Sequence, residues 1–308
     1  MSFAFDAKKE LCNIVRDSTC YMMAEVYGIL VFAKTFSRSS ICLATENKYV
    51  SNRLAELVAQ TTGSIVDIVS TLTRKGGRNN LFTITIPSDE DRYNILSQFG
   101  YSGNEVSLRI NMANLEDEEC TKAFLAGAFL SCGVLADPNS EYRMEFIVPY
   151  MNLAKDLAYV ISESGGFKIK PSIINRKGYF VVYIKGGEVI TDLLAYIGAS
   201  KSAMEMMQVK MIKEVRNYVN RTTNFETANI SKTVTASAAQ IDAINKIDRI
   251  KGINWLPEDL KEIAQIRLHN PDMSLRELCE ELSKPMSRSG VNHRIRRIID
   301  IADDLDEN

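Results

Sequence analysis

The residues of this 308-residue chain best placed to do chemistry lie near its end, in the run Ser287-Arg-Ser-Gly-Val-Asn-His-Arg-Ile-Arg-Arg297. Arginine can bond guanine O6 and N7 in a bidentate manner, and asparagine can pair with adenine N6 and N7. Val291, Ile295, Ile298 and Ala302 recur at helical spacing and define one buried stripe. The opposite face then presents Ser289, Asn292, His293 and Arg296, with Arg288, Arg294 and Arg297 flanking. From Lys284 to Arg297 there are five Lys or Arg and no acidic residue, whereas Asp300, Asp303, Asp304, Asp306 and Glu307 crowd the far end. That polarity suits a helix whose leading half enters the major groove while its acidic tail stays clear of phosphates. The pattern assigns Ser289, Asn292, His293 and Arg296 to base edges. It assigns Lys284, Arg288, Arg294 and Arg297 to phosphates. A charge run on its own reads as a solvated face of an ordinary helical bundle, and His293 alone carries no weight. The sharp turn, the capping box and the segregation of charge together favour DNA.

The elements that must hold this helix are legible just upstream. Pro257 with Glu258 and Asp259 starts a helix that Asn270-Pro271 ends. Ser274-Leu-Arg-Glu277 is a capping box opening a short helix with Leu275, Leu278, Cys279 and Leu282 on one face. Ser283-Lys-Pro-Met286 is the turn, and Ser287 caps a third helix from about Arg288 to Ala302. Residues 253–308 therefore form a helix-turn-helix domain. Residues 201–252 read as a helical linker, with a separate helical stretch from Ala236 to Lys251. Its apolar stripe Met204, Met207, Met211 and Val215 is expected to pack against a core or a neighbouring element. The polar segment Arg216 to Lys232, with Arg216 and Arg221, either tracks a nucleic-acid backbone or bonds into the adjacent domain.

Composition narrows the classes. With 45% hydrophobic and 25% charged residues the chain can fill two or three globular domains. The start lacks the apolar run of a signal peptide, and no stretch reaches the roughly 18 apolar residues of a membrane helix. A cytoplasmic protein with no membrane partner is expected. Six cysteines without a C-x-x-C pair and two histidines argue against zinc, so no metal and no cofactor are expected. The net charge of −2 gives no global attraction to nucleic acid, which leaves the local patches.

Residues 1–200 carry an internal repeat, with units at about 15–110 and 115–200. Lys122-Ala-Phe-Leu-Ala-Gly127-Ala-Phe-Leu-Ser-Cys132 is echoed by Ala24-Glu-Val-Tyr-Gly28-Ile-Leu-Val-Phe-Ala33-Lys34. Small residues at Ala123, Ala126, Gly127 and Ala128 let two such helices approach closely. Read forward from Gly28 and Gly127, each unit runs helix, hairpin, helix, hairpin, helix, which predicts one pseudo-symmetric α+β domain. The second hairpin of each unit has a basic, glycine-bearing loop. Those loops supply Arg74, Lys75 and Arg78 in one copy and Arg176 and Lys177 in the other. Such loops either clamp DNA or simply keep a protein-binding surface soluble.

The helices around Gly28 and Gly127 resemble those of LAGLIDADG homing endonucleases, and the closing run from Ser287 to Arg297 resembles the helix-turn-helix end of the bacterial WhiA family. The likeness covers essentially the whole chain. It implies a degenerate, pseudo-two-fold LAGLIDADG-like domain joined to a DNA-binding helix-turn-helix. It further implies a nucleoid-associated protein of cell division, chromosome segregation or transcription regulation of the sporulation type. The implied partners are double-stranded DNA and a transcription or division protein. In the endonucleases the penultimate motif position is an acid that holds catalytic metal. Here the matching positions are Ala33 and Cys132, neither of which can ligate magnesium. Asp137, five residues beyond Cys132, belongs to a turn former's place. The resemblance therefore implies DNA binding without nuclease activity. A protein-interaction scaffold is the alternative, and an active endonuclease a more distant one.

Overall fold

A computed structural model of the chain describes residues 2–73, 79–105, 107–166 and 168–305. The first repeat comprises α2 (Thr19–Val31), β1 (Thr35–Phe36), β2 (Ile41–Thr45), α3 (Lys48–Thr62), β3 (Asp67–Thr73), β4 (Asn79–Thr85) and α4 (Asp89–Gln98), preceded by α1 (Phe3–Cys12). The second comprises α5 (Glu118–Cys132), β5 (Gly133–Leu135), β6 (Arg143–Val148), α6 (Met151–Glu163), β7 (Ser172–Arg176), β8 (Tyr179–Lys185) and α7 (Gly187–Ile197). Both four-stranded sheets are antiparallel throughout, with the matching orders β1-β2-β4-β3 and β5-β6-β8-β7.

The two sheets belong to one core, and α2 packs on α5 at its centre. Ser18 and Asp117 cap these helices by accepting from Cys20 N and Cys120 N. Neither helix has a polar face: Ala24 to Val31 and Ala123 to Leu130 are buried all round, as befits central helices. Backbone meets backbone at the two glycines. A Cβ on Gly28 would lie 2.1 Å from Phe124 O, and one on Gly127 would lie 2.2 Å from Glu25 O. The two collisions are images of each other, because Glu25 and Phe124 each stand three residues before a glycine. Toward the start of the seam the Cys20 and Cys120 thiols face each other at 3.0 Å.

Buried polar groups tie the repeats together. Asn111 N donates to Tyr27 Oη at 2.6 Å, Tyr27 and Tyr101 share a hydroxyl contact at 2.7 Å, and Tyr101 Oη donates to Arg109 O at 2.5 Å. Arg109 grips Asp156 of α6 through Nε at 2.7 Å and Nη2 at 2.6 Å, fixing the inter-repeat segment to the second repeat. Glu25, 1% exposed, accepts from Arg16 at 2.9 Å and from Arg53 at 2.9 and 3.0 Å.

The helical remainder is α8 (Ser200–Lys251), α9 (Glu258–His269), α10 (Leu275–Glu281) and α11 (Arg288–Asp304). The chain divides into two compact units, Met1–Lys213 and Glu214–Asn308, and this division falls within α8. Two expectations are corrected here. The stretch from Ala236 to Lys251 is not separate, because the polar segment from Arg216 to Lys232 is itself helical and continues into it. Threonine and asparagine are weak helix formers, which is why propensity alone breaks the helix there. The stripe Met204, Met207, Met211 and Val215 does not pack inward, being 61, 52, 60 and 63% exposed. Ala203 and Met206 face the core instead, and at 100° per residue they stand roughly a third of a turn around α8 from the centre of the stripe.

The second unit has its own core. Ala243, Ile244 and Ile247 of α8 join Leu260, Ile263 and Ala264 of α9, Leu278 of α10, and Val291, Ile295, Ile298 and Ala302 of α11. The capping box forms as spelled: Ser274 Oγ accepts from Glu277 N, and the Glu277 carboxylate accepts from Ser274 N at 2.6 Å. Among the described residues no helix is long and apolar enough to cross a membrane.

Candidate nucleic-acid interface

The predicted recognition helix is α11, begun by Ser287, whose hydroxyl accepts from Gly290 N at 3.2 Å. The buried stripe is the one its periodicity spells, and it turns the opposite face outward. Ser289, His293 and Arg296 are exposed and Asn292 is half-buried, so the four lie along one outward face. Lys284, Arg288 and Arg297 are exposed around it. Arg294 differs, because its Nε lies 3.5 Å from an Asp259 carboxylate oxygen on α9. The assigned side chains other than Arg294 thus come together on the leading half of α11 and, for Lys284, on the turn before it. Around this face the charge is positive and the donors are held by a packed bundle, an arrangement able to bond base edges and phosphate oxygens.

The accessory residues are more scattered. Arg74, Lys75 and Arg78 lie outside the described residues. Arg176 ends β7 and is paired with Glu145 at 2.7 Å, while Lys177 occupies the following turn with φ +54°. Arg216 and Arg221 are exposed on α8.

At the positions matched to the metal-binding acids, Ala33 is buried beside Val31 and Phe32. The Cys132 thiol donates to Ala128 O at 3.3 Å. Lys8 of α1, Lys34, Glu46 and Cys132 line a cleft of about 330 Å³ there. Lys8 donates to Leu130 O at 3.0 Å, and burial pulls its ammonium from the usual 10.5 to about 8. Burial pushes the Cys132 thiol from 9.0 up to about 12, so it stays protonated and neutral near pH 7. Asp137 is a turn residue, its Oδ1 accepting from Asn139 N at 2.8 Å. Among the described residues no three His, Cys, Asp or Glu side chains cluster as a metal site.

Three charges held within the packed structure escaped the sequence reading: the half-buried Lys8, and the buried Glu25 and Arg267, the last only 2% exposed within α9. Arg267 sits at a position where the helical pattern Leu260, Ile263, Ala264 continues inward, and that register is the one signal that could have exposed it.

The fold defines a class: a two-sheet LAGLIDADG-like domain followed by a helical unit that ends in a helix-turn-helix. The chain belongs to the WhiA family. Residues 121–216 match the WhiA LAGLIDADG-like domain and residues 219–302 the WhiA C-terminal HTH domain. It is 35% identical over 314 residues to a probable cell division protein WhiA of Clostridium botulinum, covering 99% of each chain. It is likewise 35% identical over 320 residues to one of Thermoanaerobacter sp., covering 100% of this chain and 99% of the relative. The crystal structure of full-length DUF199/WhiA from Thermatoga maritima is similar over 98% of both chains, with a TM-score of 0.61 at 26% identity.

Proposed function

We propose that the chain binds double-stranded DNA through α11 and acts, without cutting DNA, in cell division and chromosome segregation or in transcription regulation of the sporulation type. It does so in the cytoplasm, at the nucleoid. The observation that carries this reading is the outward face Ser289, Asn292, His293 and Arg296, ringed by Lys284, Arg288 and Arg297 and backed by a fully buried apolar stripe. Selection of bound duplexes from a random pool with the full chain tests it. One enriched motif is expected, and recovery of no motif at any salt concentration contradicts it.

Loss of nuclease chemistry is supported by what stands at the ancestral acid positions. The side chains of the buried Ala33 and the neutral Cys132 offer no oxygen ligand, and the Lys8 and Lys34 ammoniums of the cleft oppose a divalent cation, leaving Glu46 as the carboxylate among the described residues that line it. Incubation of the chain with supercoiled plasmid and magnesium or manganese should leave the plasmid intact. Metal-dependent nicking that vanishes on mutation of this cleft would overturn the reading.

The exposed stripe Met204, Met207, Met211 and Val215 favours a second role, a protein partner in transcription or division docking on α8. Met207→Glu with Met211→Glu should then abolish activity in cells while leaving DNA affinity unchanged.

A further inference from the structure

We propose that a cleft in the second unit, enclosed by α8, α9, α10 and α11, seats a phosphoryl group against Arg267. The cleft has a volume of about 360 Å³ and is lined by Lys232 and Gln240 of α8, Arg267 of α9, Arg276 of α10, and Arg288 and Asn292 of α11. No carboxylate is among the described residues that line it. Four cationic side chains therefore converge on one concavity in a chain whose net charge is −2. Arg276 has an acidic neighbour among the described residues, Glu280 at 3.7 Å, and both of these are exposed.

Arg267 is what turns a basic hollow into a site. Its side chain is 2% exposed and its Nη1 donates to two carbonyls of the turn, Pro271 O at 3.3 Å and Met273 O at 2.5 Å. Its Nε is buried and unpaired. Among the described residues no carboxylate pairs with it, and burial pulls its pKa below the usual 12.5. A guanidinium out of water without a counter-ion is strongly unfavourable, and a bound anion offsets that cost. The planar guanidinium matches the geometry of phosphoryl oxygens, its Nε–H aligned with a neighbouring Nη–H for two parallel bonds. Gln240, 7% exposed, contributes a buried carbonyl oxygen that also lacks a partner, suited to a hydroxyl on the same ligand. A structural role for Arg267 explains the bonds to the turn but leaves Nε unused.

Two sources can present this chemistry: a phosphate of the DNA backbone, or a free phosphorylated small molecule. The first source rests on the DNA-binding reading above, and the second is independent of it. The test uses the full chain, its Lys232→Met variant, whose side chain is exposed and outside the core, and Arg267→Met. Circular dichroism reports whether each variant folds. In one arm, inorganic phosphate is titrated against chloride at matched ionic strength and thermal unfolding is followed. In the other, affinity for duplex DNA is measured across a salt series.

For a free ligand, phosphate raises the unfolding midpoint of the parent beyond chloride, and Lys232→Met weakens the apparent phosphate affinity about tenfold. For a backbone phosphate, Lys232→Met lowers the slope of log K against log salt by about 1. Either result supports the cleft and identifies its source. If phosphate and chloride act alike and Lys232→Met leaves the DNA salt slope unchanged, the proposal is overturned whether or not Arg267→Met folds. If the parent binds no duplex at all, the DNA reading fails and the phosphate arm alone decides the cleft.

Discussion

Glu25 is buried where α2 meets α5, and its carboxylate is shared by Arg16 and Arg53, themselves only 10 and 12% exposed. Removing it leaves two guanidiniums without their counter-charge. Glu25→Ala should therefore destabilise the chain by about 3–5 kcal/mol, read as a lower urea midpoint. Lys8 gives a different signature. Burial lowers its ammonium from 10.5 to about 8, so between those values the unfolded chain holds a proton that the folded chain has lost, and stability rises with pH. The thiols of Cys12, Cys120 and Cys132 move the other way, each from 9.0 to about 12, chiefly through burial. Above pH 9 the folded chain keeps thiol protons that the unfolded chain releases, and stability falls. Chemical unfolding between pH 7 and 11 should show the parent gaining on Lys8→Met from pH 8 to 10.5. A triple Cys→Ala variant should lose much of the parent's decline above pH 9. Parallel profiles for the parent and Lys8→Met would contradict the burial of that charge.

At the scale of elements, the seam between α2 and α5 is set by two glycines whose absent side chains let backbones touch. A methyl group at either position meets a carbonyl oxygen at 2.1 or 2.2 Å, and a backbone carbonyl inside a core cannot swing away. Gly28→Ala and Gly127→Ala should each cost about 3 kcal/mol or more, the upper end for overpacking, measured by urea titration. Ser274→Ala, which removes one half of the capping box, should cost about 1 kcal/mol. These elements were legible in the sequence because each is written locally: small residues at a repeated spacing, a Ser and a Glu three apart, an apolar stripe at 100° per residue. The outward face of α11 was legible for the same reason, since a helix with one buried stripe leaves no choice about the other. Hidden were the features that need a partner from elsewhere in the chain. The inward face of α8 is chosen by Ala203 and Met206 meeting a core built from distant strands and helices, so its more conspicuous methionine stripe misled. Arg267 sits in an ordinary helical register, and nothing local announces that its guanidinium lies under a turn nor that α8 closes over it. Lys8 and Cys132 are 124 positions apart, and their juxtaposition exists only once α1 packs on the second repeat.

At the scale of the whole molecule, the chain joins a LAGLIDADG-like core, bearing no oxygen ligands at its ancestral metal-acid positions, to a helix-turn-helix unit with a basic leading face. A net charge of −2 provides no long-range attraction to DNA, so the proposed binding rests on the few cations around α11 and its neighbours. Arg297→Ala should weaken binding to all duplexes alike and lower the salt slope by about 1, as loss of one phosphate contact does. Arg294→Ala should act less cleanly, because Arg294 is already paired with Asp259. Base reading by α11 is the property on which the proposed function depends most directly. Fluorescence anisotropy with a selected duplex, comparing the parent with Arg296→Ala and Asn292→Ala, measures this. The expected result is a loss of about 1–3 kcal/mol for each variant on that duplex, with little change on an unrelated sequence. Equal affinities of parent and both variants for the selected duplex would contradict it.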